Sequence, residues 1–244
     1  MTSEADVPFN SISGIWVGEA QPAEELADFF IPINPIQLHV DVDTFTDCLY
    51  LLNGRFSQLH TLYVNIDFIC TSDLIVNNRE KLFNLKYFSL YSNDETNSYD
   101  ELILPLLQRM SNLEKFHLYF VAYGRKTFFD DNELNMNIID YMPLLSKFTF
   151  NIRSFSPCYN QINLPSNEDI QKTFRDFKDQ QIIYCANYFS MPQYGECHLY
   201  SYPYQLQHYD RITNNFPGGI FTGVCKVSLW DKCPFEHEFF LRIT

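Results

Sequence analysis

Leu85–Leu90 reads LKYFSL, and the same spelling, apolar-x-x-apolar-x-apolar, returns at Leu113–Leu118 as LEKFHL and at Leu145–Phe150 as LSKFTF. An earlier copy, LHTLYV, occupies Leu59–Val64, and a later one, VCKVSL, occupies Val224–Leu229. The first four copies start at Leu59, Leu85, Leu113 and Leu145, in steps of 26, 28 and 32 residues. The alternation at the end of each copy marks a short strand whose apolar positions share one face. A step of this size holds a strand, a turn and a returning helix. It lies near the roughly 20–29-residue period of leucine-rich repeats. Strands connected in this way run parallel, each beside the last. The expected fold is α/β: an irregular leucine-rich-repeat-like solenoid with a parallel β-sheet on the concave face and helices on the convex face.

Working outward, Ile36–Val42 alternates Ile36, Leu38, Val40 and Val42 with Gln37, His39 and Asp41, which predicts a further strand. Helices are predicted over Thr44–Leu52, weakly over Ser72–Leu82, over Ser98–Met110 with Ser98 as cap, and over Asn132–Met142. Pro105 should bend or shorten the third of these. An insertion at about 153–180 carries Pro157, Pro165 and a helix from Ser166 to about Lys178. Strands are predicted at Gln181–Phe189 and Tyr194–Tyr202, where Tyr194, Cys197 and Leu199 keep the repeat spacing. Asn214–Gly219 is a turn cluster, and Phe235–Ile243 a final helix or half-turn. Residues 1–35 lack the repeat and read as an irregular lead-in with one apolar island at Ile12–Val17, so the solenoid spans 36–244.

Composition narrows the function. The 244 residues are 46% apolar, with 23 Phe and 16 Tyr, enough for a sizeable core. Seventeen basic against 30 acidic residues give a net charge of −13, a field that repels nucleic-acid phosphates and anionic membrane surfaces. Met1–Gln21 has acidic residues and no apolar run, so no signal peptide is read there, and no stretch is long and apolar enough to span a bilayer. Seven cysteines without framework spacing suit reduced, buried thiols in the cytoplasm or nucleus.

Four segments carry a family resemblance: SQLHTLYVNI (Ser57–Ile66), LPLLQRMSNLEKFHLY (Leu104–Tyr119), PLLSKFTFNI (Pro143–Ile152) and FPGGIFTGVCKVSLWDKCPFEHEFFL (Phe216–Leu241). Over about residues 36–244 the chain resembles the leucine-rich-repeat region of F-box-type proteins, an uncharacterised invertebrate set. No F-box-like segment is readable in Met1–Pro35. The resemblance implies a protein–protein recognition module like the substrate-binding half of a ubiquitin-ligase adaptor. Its partner would be a protein, and a ubiquitin-ligase scaffold could be engaged as well; the outward lysines and aromatics named below would suit an acidic or extended one.

The variable positions of each repeat strand point away from the apolar ones. The candidate partner-binding set is Tyr63, Tyr87, Tyr91, Lys115, His117, Tyr119, Lys147, Lys226 and Trp230. Stacking predicts one column of Lys115, Lys147 and Lys226 and another of Tyr91, Tyr119 and Trp230.

No catalytic, cofactor or metal residue is assigned, and the chain is not read as an enzyme. Cys225, Cys233 and His237 have no zinc-finger spacing. An alternative is a small α/β hydrolase-like enzyme pairing Cys197 or Cys233 with His198, His208 or His237, although no nucleophile-elbow motif is present. Another is a truncated repeat protein with no independent role, its apolar terminus Phe239, Phe240, Leu241 and Ile243 left uncovered.

Overall fold

The computed structural model describes residues 15–17, 36–52, 58–71, 81–125, 127–157, 172, 174, 181–189, 194–218, 221 and 223–242. The repeat shows first in the backbone. The amides of Leu85, Leu113 and Leu145 close one turn onto the carbonyls of Leu82, Met110 and Met142, and the next residues bond across to the preceding unit: Lys86 to His60, Glu114 to Lys86 and Ser146 to Glu114, each at 2.8 Å. The strands that follow are β2 (Ile36–Thr44), β3 (Leu59–Phe68), β4 (Tyr87–Thr96), β5 (Lys115–Tyr123) and β6 (Lys147–Pro157). Their parallel register matches the sequence repeat, with Leu62↔Phe88, Phe88↔Phe116 and Phe116↔Phe148 as partners. The phenylalanines of this column stack with centroids 5.9 and 5.1 Å apart.

Between strands, short helices bury their apolar sides in the same core as this column. Helix α1 (Phe45–Leu51) starts at a capping box formed by Thr44 and Asp47. The expected Ser98–Met110 helix is instead a π-helical turn, Tyr99–Ile103, followed by α2 (Leu104–Leu107). Pro105 explains the break: it has no amide hydrogen and crowds the turn before it. Ser98 makes no capping bond. Helix α3 (Asp131–Asn137), capped by Asp130, is followed by a 3-10 turn at Ile139–Tyr141. Most of the helix expected at Ser72–Leu82 and of that at Ser166–Lys178 lies outside the described residues, although Phe174 is buried in this core.

Three departures from the predicted stack matter. Ile15–Val17, within the lead-in, forms β1 and pairs in parallel with β2. The last two strands of the large sheet, β7 (Ile182–Phe189) and β8 (Tyr194–Ser201), are antiparallel, in the order β1-β2-β3-β4-β5-β6-β8-β7. Residues 190–193 are too short a connection for a parallel crossover, which takes a dozen or more residues. The Tyr194–Cys197–Leu199 spacing therefore sits on a strand running against the repeat. Finally, β9 (His208–Ile212) and β10 (Lys226–Leu229) make a separate two-stranded parallel sheet. Val224–Leu229 copies the local repeat turn, with Val224 bonding Phe221 and Cys225 bonding Gln207, but the place beside β6 is already taken by β8.

The C-terminal block, from Tyr202 through α4 (His237–Arg242), lies on the sheet face opposite the helices. There Ile183 and Tyr200 of β7 and β8 pack with Tyr204, Tyr209, Ile212, Phe216 and Phe239 in a second core. The chain is thus a mixed α/β protein with a mostly parallel sheet and, among the described residues, few helices and no closed barrel. No helix among the described residues is long and apolar enough to cross a membrane. Of the six described cysteines, all unpaired, Cys48, Cys185 and Cys197 are buried, whereas Cys70, Cys225 and Cys233 are exposed, against the expectation of buried thiols throughout.

Candidate functional site

Side chains on a strand alternate faces, so the apolar column that fills the first core forces the variable positions onto the other side. Among the described residues that side is left partly exposed on β2–β4 and at the start of β5, as far as His117. His39 and Tyr63, register partners, stack with ring centroids 4.0 Å apart and planes 8° from parallel. Ser89 is the next residue in that row and is too small to continue the stack. Tyr87, two residues back on β4, fills the gap, lying 4.8 Å from Tyr63 and 5.3 Å from His117 on β5. A second row holds Asp41, Asn65, Tyr91 and Tyr119. There Asn65 Nδ2 donates to Asp41 Oδ1 at 3.0 Å, and Tyr91 stacks on Tyr119 at 4.4 Å and 12°. Burial lowers the pKa of His39 and pushes the Tyr91 phenol up to about 12, so these two rings favour their neutral, hydrogen-bonding forms.

Lys115 and Lys147 are direct register partners on β5 and β6, and both are exposed. Thus seven of the nine predicted residues, Tyr63, Tyr87, Tyr91, Lys115, His117, Tyr119 and Lys147, share one sheet face.

Lys226 and Trp230 do not join them. Lys226 lies on β10 opposite His208, and Trp230 follows that strand with its amide bonded to the Ile212 carbonyl. Trp230 instead stacks under the Arg211 guanidinium at 4.9 Å, with Phe155 at 5.0 Å from the same group. The predicted lysine and aromatic columns are each reduced to their two members on β4–β6.

Tyr119 marks the boundary of the open region. It is 8% exposed, and its hydroxyl accepts from Arg153 Nη2 at 3.2 Å. Beyond it the outward residues of β6, Thr149, Asn151 and Arg153, are buried, and Tyr204 of the C-terminal block bonds Asn151. Arg153 pairs with Asp210 of β9 at 3.5 Å, and Arg211 pairs with the buried Glu196 of β8 at 3.0 Å. Asn151 and His198 meet at 2.8 Å, and His198 packs against Tyr209 at 4.8 Å. Burial, with Arg153 close by, holds His198 well below the ordinary histidine range.

The cysteine–histidine pairs take a different geometry. Cys197 and His198 are neighbours on β8 and face opposite sides: Cys197 enters the first core, where burial pushes its thiol up, and His198 enters the second. Cys233 is exposed. Among the described residues, no three His, Cys, Asp or Glu side chains come together to hold a metal ion.

His39 was absent from the predicted set, although the alternation of Ile36–Val42 places it on the outward face. Covering of Asn151 and Arg153 on β6 by Tyr204 and Asp210 left no such local mark. No family model, curated protein or solved structure matches this chain.

Proposed function

We propose that this chain is a protein-recognition module whose binding surface is the open face of β2–β5, with Lys147 at its edge. The observation that carries the reading is the continuous row His39, Tyr63, Tyr87 and His117, built across four strands on a face left uncovered among the described residues. Tyrosine supplies a large, rigid, amphipathic contact at low entropic cost, a residue type favoured at interface centres. Stacking of β2–β6 in chain order supports the solenoid reading, in which helices line the convex side and partners bind the concave one. An adaptor role like that of the substrate-binding half of a ubiquitin ligase, in the cytoplasm or nucleus, is the most specific form of this proposal.

Affinity purification of the full chain with mass spectrometry, followed by binding assays with each purified candidate, tests it. At least one partner should lose tenfold or more in affinity on Tyr87→Ala with Lys115→Glu. Recovery of ubiquitin-ligase scaffold subunits would support the adaptor role. Partners that bind the double variant as tightly as the parent would remove this face from consideration.

A further inference from the structure

We propose that the occupant of the open face is an extended segment of a partner protein with an acidic end seated on Lys115 and Lys147, the remainder running over Tyr87 towards β2 and being neutral or basic. This rests on the recognition reading above and adds the polarity of the ligand.

The lysine pair is the starting point. The chain carries 17 basic residues against 30 acidic ones, yet two lysines stand directly opposite each other on β5 and β6. Like charges in that position destabilise a sheet. Neither ammonium has an acidic partner among the described residues, and Glu114, the residue next to Lys115, is engaged with Lys86 at 3.1 Å. A carboxylate brought between the two ammonium groups would relieve the repulsion without displacing an existing bond. Tyr87, in the same row as Lys115, and His117, two residues along β5, flank the place with hydrogen-bonding groups.

The opposite corner of the face has the opposite sign. Asp41, Asp43, Asp67, Asp94 and Glu95 are exposed towards the C-terminal ends of β2–β4. A uniformly acidic segment would be attracted at one corner and repelled at the other; a segment acidic only at one end satisfies both. From Lys115 to the level of Asp41 is three strand spacings of about 4.8 Å and four residues at about 3.3 Å, a diagonal of about 20 Å. That is the reach of about six extended residues. The footprint stops at Lys147 because Thr149 and Asn151, further along β6, are buried.

Selection from a displayed library of random twelve-residue peptides against the purified full chain tests the polarity. The wild-type pool should concentrate Asp and Glu at one end of the selected sequences. A chain carrying Lys115→Glu and Lys147→Glu should lose at least tenfold in affinity for a wild-type-selected peptide, read by fluorescence anisotropy at low salt. It should also select peptides with a basic end. Lys115→Gln with Lys147→Gln should give an intermediate loss, and unchanged circular dichroism would establish that each variant is folded. If the charge-reversed chain selects the same sequences at the same affinity, the polarity is wrong. In that case, loss of binding on Tyr63→Ala with Tyr87→Ala would leave the recognition reading standing, and retained binding would remove it too. Failure of the wild-type chain to select any peptide would overturn the extended-segment proposal itself.

Discussion

Strands β3 and β6 are written alike and buried differently. LYVNI at Leu62–Ile66 and FTFNI at Phe148–Ile152 share the alternation, and each places its apolar residues in the first core. Along β3 the outward residues Tyr63 and Asn65 are only half-buried. Along β6 the interior positions are buried on both faces, Thr149, Asn151 and Arg153 included. At Asn151 and Arg153 the second face is covered from a distance, by Tyr204 and Asp210, more than fifty positions later in the chain. Among the described residues one half of the sheet is partly exposed and the other a packed layer, and mutations should divide along that line.

The largest effect belongs to the cores. Phe148 stacks on Phe116 and lies against Phe150 at 4.9 Å, so Phe148→Ala should cost about 3–5 kcal/mol and lower the denaturation midpoint of the whole chain. Tyr209→Ala empties a comparable volume in the second core. Its cost should fall on the C-terminal block, with hydrogen-exchange protection lost in β9 and β10 and retained in β3 and β4. Equal loss of protection in both halves would show that the block and the stack unfold as one unit.

The next effect comes from the ion pair that fastens the block. Asp210 and Arg211 together face Ser228 where the β9–β10 register shifts, and Arg211 takes a left-handed backbone, φ +57°. Conformations of this kind are unfavourable for a side chain with a Cβ and persist where surrounding contacts hold them. Here the contacts are Glu196, Tyr194, Phe155 and Trp230. Arg211→Ala should cost about 3 kcal/mol, the low end for a broken buried pair because Arg211 is itself partly exposed, since it strands a buried carboxylate, and a thermal melt should show it. Glu196→Gln with Arg211→Ala should recover part of that loss, since no buried charge is then left alone.

The two histidine environments give a pH contrast. His198 titrates near its ordinary value in the unfolded chain and well below it when folded. As pH falls below about 6.5 the unfolded chain takes up a proton that the folded chain refuses, and stability drops by up to about 1.4 kcal/mol per pH unit. The drop should flatten in His198→Gln when denaturation midpoints at pH 7 and pH 5 are compared. His39, lowered in the same direction but on the open face, should contribute a smaller slope of the same sign.

These contrasts also mark what the sequence could reveal. The inward columns, the parallel order of β2–β6 and the shared face of Tyr63, Tyr87 and Lys115 follow from local alternation and a step that repeats, information carried in windows of about thirty residues. The reversal at β7–β8 was legible too: a connection of residues 190–193 dictates a hairpin, and the near-continuous apolar run IIYCA at Ile182–Ala186 signals burial on both faces. The repeat spacing of Tyr194, Cys197 and Leu199 points the other way. The fate of Lys226 and Trp230 was not legible. Val224–Leu229 spells the repeat and makes its turn, but its partner strand is decided by β8 having filled the place beside β6.

The smallest expected effect is the one that bears most directly on function. Tyr63 stacks between His39 and Tyr87 on a half-buried face, and cross-strand aromatic pairs of this kind are worth about 0.2–1 kcal/mol each. Tyr63→Ala should therefore lower stability by about 1 kcal/mol, a shift of a few degrees in Tm, while Tyr200→Ala in the second core costs several times more. Should Tyr63→Ala prove as damaging as Tyr200→Ala, the open row is a structural layer under a cover of its own. A cost near the small value with a large loss of partner affinity would identify residues held for binding, because a stack that adds little to folding has its main use at the surface.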